Sequence, residues 1–455
     1  MSVRIVEPGS DVEEPELPDR ESWRPISRIL FRFGLVYFGL FALLTQVILE
    51  FPGVATWWGP IAVRGPRPVV EWVGRTVFDA EVVYRESGSG DTAYDWVLLF
   101  CVLVTAITVT AVWSILDRAH TEYRTAAGWL LVFLRVCLAG TMLSYGFVKA
   151  FPVQMPPPSL TRLLEPFGDL TPMAVLWSQV GVSPMYERLL GIAEISCGVL
   201  LLVPRTTVAG AVSSVIGAAQ VWILNLTYDV PVKILSFHVL LMALVLAAPE
   251  ARRITAVLAG KAVGPSTVPQ PFRNSAQRRV VAGIQVGLLL WLVVSGTVNG
   301  LVAWQQRESR SEFYGIWEVD AFTRDGQPVP ALLGDGTRWR RLVFDQRGTA
   351  DIQTMDDRFR PVRAEISARR LTLRWWDASD SAAPWAIFTV EHPAPDRLRL
   401  NGEADGQPVT MELSRFDADR FTLRRSGFHW INEFPNNRCS SGRPACPTPT
   451  VSSAR

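Results

Sequence analysis

Residues 96–116 read WVLLFCVLVTAITVTAVWSIL, a run without one charged side chain. At 1.5 Å per residue such a helix reaches about 30 Å, the thickness of a bilayer's hydrocarbon core. Similar apolar runs lie near residues 29–51, 127–149, 188–204, 206–228, 233–249 and 280–303. The chain is therefore expected to form a polytopic helical bundle of about seven spans. The runs at 188–204 and 233–249 are short enough to be tilted or partial crossings. Composition agrees, with 49% hydrophobic and 19% charged residues and a mean hydropathy of +0.19, which argues against a disordered chain or a charge-studded soluble surface. The net charge of +2 provides no basic field to hold phosphates, so no nucleic acid is expected as a partner. His120, His238, His392 and His429 are scattered and the five cysteines include no CxxC pair, so no metal site is expected.

Residues 1–28 form an expected disordered cytoplasmic arm, acidic and proline-bearing at its start, and the apolar run after it reads as a retained span rather than a cleaved signal. Residues 29–126 hold two spans joined by an outer loop, residues 127–250 a four-helix core, residues 251–279 a basic cytoplasmic loop and residues 280–308 the seventh span. Arg20, Arg24 and Arg28, then Arg118 and Arg124, then Arg205, then Arg252, Arg253, Lys261, Arg273, Arg278 and Arg279 fall on one side of this arrangement. The density of basic residues there places the N-terminus in the cytoplasm. An odd number of spans then puts the C-terminal part outside. Within the outer loop 152–187, Pro152 and Pro156–Pro158 stop one helix. Thr171 and Pro172 start a short one that Gly181 ends, with Met173, Leu176, Trp177 and Val180 on one face.

From about residue 309 the apolar period changes to two. Leu371 and Leu373, Leu398 and Leu400, and Val409, Met411 and Leu413 alternate with polar neighbours. Turn signals at Asp325-Gly326, Gly334-Asp335-Gly336, Gln346-Arg347-Gly348 and Asn401-Gly402 separate eight or nine strands. Residues 309–438 are thus expected to form an extracytoplasmic, all-β antiparallel barrel or sandwich. In the flexible tail, residues 439–455, Cys439 and Cys446 either form a disulfide or remain as two idle thiols.

Charges inside a bilayer are costly, so each one is a functional candidate. Tyr145 and Lys149 share a face near the outer end of the third span, and Glu194 lies about 9 Å into the fourth at 1.5 Å per residue. With Glu187, Asn225, Asp229, Lys233 and His238, they gather toward the outer side of the membrane. The functional reading is an outward-facing cavity in which Lys149 and Glu194 pair and hold a polar head group. The alternative is a set of interhelical hydrogen bonds with snorkelling ends.

Arg135, Gly140, Gly146 and Lys149 in LRVCLAGTMLSYGFVKA, followed by Gly191, Glu194 and Gly198 in LLGIAEISCGVLLLV and two more apolar helices, resemble the four-helix membrane module of the DoxX/DoxD family. The resemblance covers residues 127–250. It implies a bacterial plasma-membrane protein, in a family some of whose members are subunits of thiosulfate:quinone oxidoreductase or partners in thiol and oxidative-stress metabolism. Two functions are open at this point. One is a redox subunit in which Lys149 and Tyr145 donate to a quinone oxygen, Glu194 relays protons and a redox partner protein supplies electrons, since no flavin or haem signature is present. The other is a non-catalytic scaffold or ligand-binding protein whose external β domain binds a membrane lipid, an envelope component or a partner. Whether the chain is an enzyme is left open.

Overall fold

The computed structural model describes residues 23–425, 430 and 431, apart from 265, 267, 270, 272, 273, 368, 380 and 381. The acidic arm before Trp23 and the tail with Cys439 and Cys446 lie outside the described residues. In chain order the helices are α1 (Pro25–Leu44), α2 (Gln46–Leu49), α3 (Val54–Arg64), α4 (Arg67–Val77), α5 (Ala93–Leu116), α6 (Arg124–Ala150), α7 (Leu160–Leu164), α8 (Pro172–Gly181), α9 (Pro184–Leu202), α10 (Thr207–Thr227), α11 (Lys233–Ala247), α12 (Ala251–Leu258), α13 (Ser275–Arg307) and α14 (Thr422–Arg425). Among the described residues, six helices are long and apolar enough to cross a bilayer: α1, α5, α6, α10, the run Lys233–Leu258 that joins α11 to α12, and α13. The remaining expected span is α9, 19 residues long, whose apolar content is cut by Glu187, Arg188 and Glu194. The loop between the first two spans contains the helices α3 and α4, which the sequence reading did not resolve.

The chain divides into two compact units, Met1–Gly146 with Ala193–Ser295 and Phe147–Ile192 with Gly296–Arg455. In the first, α1 packs on α5, and Arg32 of α1 donates to Ser114 Oγ at 2.9 Å and to the Asp117 carbonyl at 2.8 Å. The α5 N-terminus is closed by a reciprocal pair in which Thr92 Oγ1 accepts from Asp95 N–H and Asp95 accepts from Thr92 N–H. In this same unit α9 lies close enough to α6 that a Cβ on Gly198 would overlap Leu143, and α10 close enough to α9 that one on Gly210 would meet the backbone of Leu201. These are the small-residue contacts by which membrane helices approach.

In the second unit the C-terminal ends of α6 and α13 lie side by side. A Cβ on Gly296 would overlap the Phe147 ring, and one on Gly300 the Phe151 ring. A step of four residues along one helix is matched by a step of four in the same direction along the other, so the two helices are parallel. Parallel spans emerge on the same side of a membrane. With α10 and the α11–α12 run each crossing once, α13 emerges beside α6 only if α9 crosses as well.

The rest of the second unit is a closed antiparallel barrel. Its strands are β1 (Arg310–Arg324), β2 (Gln327–Pro328), β3 (Trp339–Gln346), β4 (Thr349–Thr354), β5 (Phe359–Ser367), β6 (Arg370–Trp375), β7 (Ala386–Ala394), β8 (Arg397–Ala404) and β9 (Gln407–Phe416). The two-residue β2 pairs with the end of β1; the other eight form a meander in which β9 returns to pair with β1 from Ile316↔Phe416 to Arg324↔Val409. Closure removes the open edges that a sandwich would retain. The inward residues include Trp317, Leu342, Phe344, Leu371, Leu373, Phe388, Leu398, Leu400, Met411 and Leu413, all buried, so the interior is a packed core and not a ligand cavity. One expected turn is displaced: Asn401 and Gly402 lie inside β8, and the turn falls at Asp405-Gly406, both at positive φ. Gly402 is needed for a different reason, because a Cβ there would overlap the Ile387 carbonyl oxygen of the neighbouring strand.

Candidate functional site

The loop between α6 and α9 belongs to the second unit and is bound to the barrel wall. Pro156–Pro158 keep the chain extended, and Ser159 then caps α7 by accepting from Arg162 N–H at 3.1 Å. Leu160 N–H donates to Asp345 Oδ2 at 2.9 Å and Thr161 Oγ1 donates to Asp351 Oδ2 at 2.6 Å. Leu160 covers Ile316 and Val343, two outward-facing strand residues that are nevertheless 0% exposed. Farther along, α8 forms as its sequence predicts, with Thr171 accepting from Ala174 N–H at 3.2 Å. Gly181 at its end sits where a Cβ would overlap the Pro156 carbonyl oxygen, and Trp177 Nε1 donates to the Gln154 carbonyl at 2.9 Å.

These contacts enclose a cleft of about 690 Å³. Its apolar lining includes Pro156, Pro157, Met173, Trp177 and Trp304, and its polar lining includes Arg162, Arg188, Arg307 and Arg310 with Glu308 and Asp345. Arg307 donates to the Val153 carbonyl, Arg162 pairs with Glu165, and the Arg310 guanidinium lies 4.6 Å from the Tyr314 ring centroid. Trp304 and Arg307 in the lining belong to the C-terminal end of α13, and Pro152 follows the end of α6. Aromatic and proline faces beside several guanidinium groups suit a molecule with an apolar body and an anionic head.

The expected site residues make local contacts within each unit. In the second unit Lys149 is 7% exposed, and its charge acts on Glu187, as does that of Arg307. Glu187 is 0% exposed; its Oε1 accepts from Met155 N–H at 2.8 Å, while Oε2 has no hydrogen-bond partner among the described residues. In the first unit Tyr145 lies within electrostatic reach of both Glu50 and Glu194, and Glu50 accepts from the Ser144 hydroxyl. Lys233 Nζ reaches Asp229 Oδ1 at 2.8 Å and Asp91 Oδ2 at 3.7 Å. Asp91 also accepts from the backbone N–H of Lys233 at 2.6 Å and of Ile234 at 2.9 Å, so it caps α11 and not the α5 helix that follows it in sequence. The Asn225 carbonyl accepts from Val230 N–H at 3.0 Å in the same turn. His238 Nδ1 donates to the Ile234 carbonyl at 2.7 Å, leaving Nε2 to accept from the Tyr37 hydroxyl at 2.7 Å, and its ring stacks on Phe41. Both nitrogens are thus engaged in joining α11 to α1.

Sequence reasoning missed the arginines of the cleft, because Arg162, Arg188, Arg307 and Arg310 lie on three separated segments and none is deep in an apolar run. The tryptophans were the available signal, because the amphipathic rings of Trp177 and Trp304, at or near the ends of apolar runs, suit a membrane interface. Among the described residues, no three His, Cys, Asp or Glu side chains gather as a metal-ligand set, and Cys101, Cys137 and Cys197 are free thiols.

No family model matches the chain, and no solved structure does. It is similar to the uncharacterized protein YwoB of Bacillus subtilis (strain 168), with 28% identity over 132 residues that make up 27% of this chain and 78% of that one.

Proposed function

We propose that this chain is a membrane-anchored binding protein in which the loop 152–188 and the β barrel together hold an anionic amphiphile, a membrane lipid in the simplest case, at the outer surface of a bacterial plasma membrane. The observation that carries the reading is the cleft itself, lined by Trp177, Trp304 and the proline run together with four arginines. The packed barrel core supports it, because binding is then left to the outer wall. On this reading the N-terminus is cytoplasmic and the barrel extracytoplasmic, and the core 127–250 is a DoxX-like module serving as anchor. Mass spectrometry of small molecules copurifying with the detergent-extracted protein tests it. An anionic phospholipid should be retained by the native chain and reduced by about tenfold or more in Arg188→Gln/Arg310→Gln, the loss of two charge-assisted contacts. Retention of no lipid, or equal retention by the variant, removes the proposal.

The redox reading has one specific support, the Tyr145 hydroxyl within electrostatic reach of the Glu50 and Glu194 carboxylates, groups that could pass a proton to a quinone. It requires a partner protein that delivers electrons. Glu194→Gln should then abolish quinone-dependent turnover in a folded protein, and unchanged turnover ends that reading.

A further inference from the structure

Arg310 lines a second cavity as well as the cleft. This groove, about 650 Å³, lies on the barrel wall between the start of β1, the β3–β4 turn and the outward faces of β5 and β6. Four arginines line it, Arg310, Arg347, Arg363 and Arg374, against Glu312 and Glu365. Their placement follows from register. Arg363 and Arg374 are directly opposed in the antiparallel β5–β6 pair. Arg374 pairs with Glu365 at 3.0 Å. Arg347 is carried to the tip of the β3–β4 turn by Gly348 at φ +84° and is exposed, and Arg310 is opposed to Gln346 at the start of β1. Four guanidinium groups against two carboxylates leave the groove net positive, which suits a multivalent anion, and the guanidinium fork matches the oxygens of a phosphate.

We infer that the groove binds a second phosphate of the same ligand that occupies the cleft, so that the ligand class is an amphiphile with two phosphate groups, one on each side of Arg310. This rests on the proposed lipid-binding function and narrows it. One phosphate group would lie among Arg188, Arg307 and Arg310 and the other among Arg310, Arg347 and Arg363, with the acyl or prenyl part against Trp177 and Trp304.

The test measures binding of the full-length detergent-solubilised protein to micelles doped with cardiolipin, which carries two phosphates, or with phosphatidylglycerol, which carries one, and to inorganic pyrophosphate in free solution. Cardiolipin should bind about tenfold more tightly than phosphatidylglycerol at low salt, with the advantage shrinking as salt rises. In Arg347→Gln/Arg363→Gln, both exchanges on the outward wall of the barrel, that advantage should fall to about twofold or less while phosphatidylglycerol binding is unchanged. Equal affinity of the native chain for both lipids, or a preference that survives the double exchange, overturns the groove assignment and leaves the cleft standing. Binding of neither lipid overturns the cleft reading itself. Pyrophosphate bound without either lipid overturns the amphiphile and leaves the groove to a soluble anion.

Discussion

Asp345 and Asp351 hold the N-terminal end of α7 against the barrel, and burial raises both carboxyls above the usual carboxylate range. For Asp345 the bond from Leu160 N–H and the charges of Arg310 and Arg424 pull the other way without reversing the shift. A carboxyl that holds its proton more tightly when folded favours the folded form at low pH. Its contribution is complete below the unfolded value of about 3.9 and is lost as pH rises through the raised native value. The docked loop should therefore tighten on mild acidification, the reverse of an acid-labile ion pair. Asp345→Asn keeps an acceptor for Leu160 N–H and removes the charge. It should raise the melting temperature of the detergent-solubilised protein at pH 7, and the gain should vanish near pH 4, close to the unfolded carboxyl value. A gain that does not change with pH, or a loss, would contradict this assignment. Nothing in the sequence around Asp345 announced this role, since the residue reads there as a solvated strand position and its burial comes from α7, a distant segment.

At the scale of elements, local pattern was a reliable guide wherever an element's identity is set by its own side chains. The caps of α8, the period-two strands and the apolar spans all belong to this class. Pattern was a poor guide where identity depends on a neighbour. Asn401-Gly402 carries a turn signature yet lies within β8, because the glycine is required by the approach of β7. Leu160 sits in a short helix with weak pattern of its own, and it buries the outward-facing Ile316 and Val343. Leu160→Ala should cost about 2–4 kcal/mol, the range for removing a buried leucine side chain. Thermal or denaturant unfolding of the second unit reads this directly, and a change within about 0.5 kcal/mol, the size expected of an exposed site, would mean that α7 does not cover the barrel. By the same contact, a fragment beginning at residue 309 leaves Ile316 and Val343 open to water. It should be less stable, and more prone to associate, than the barrel joined to residues 147–192.

For the molecule as a whole, span counting by hydropathy left α9 in doubt, because its acidic and basic residues resemble those of a surface helix. The parallel contact of Gly296 and Gly300 with Phe147 and Phe151 decides it. Single cysteines introduced at Ser159 and Ser309 of an otherwise cysteine-free chain should label from the same face of a sealed vesicle, and one at Gly264 from the opposite face. Labels at Ser159 and Ser309 from opposite faces would reduce the crossings by one and reverse the barrel's side.

The sequence by itself determined that this chain is a membrane bundle carrying an antiparallel β domain, because spans and strands are set by the length and period of apolar residues close together in the chain. Only the tertiary structure decided that the barrel is closed and filled, that the loop after α6 is fastened to its wall, that Lys149 acts on Glu187, and that arginines from separate segments line one cleft. These depend on contacts between residues far apart in sequence, whose partners no local period specifies.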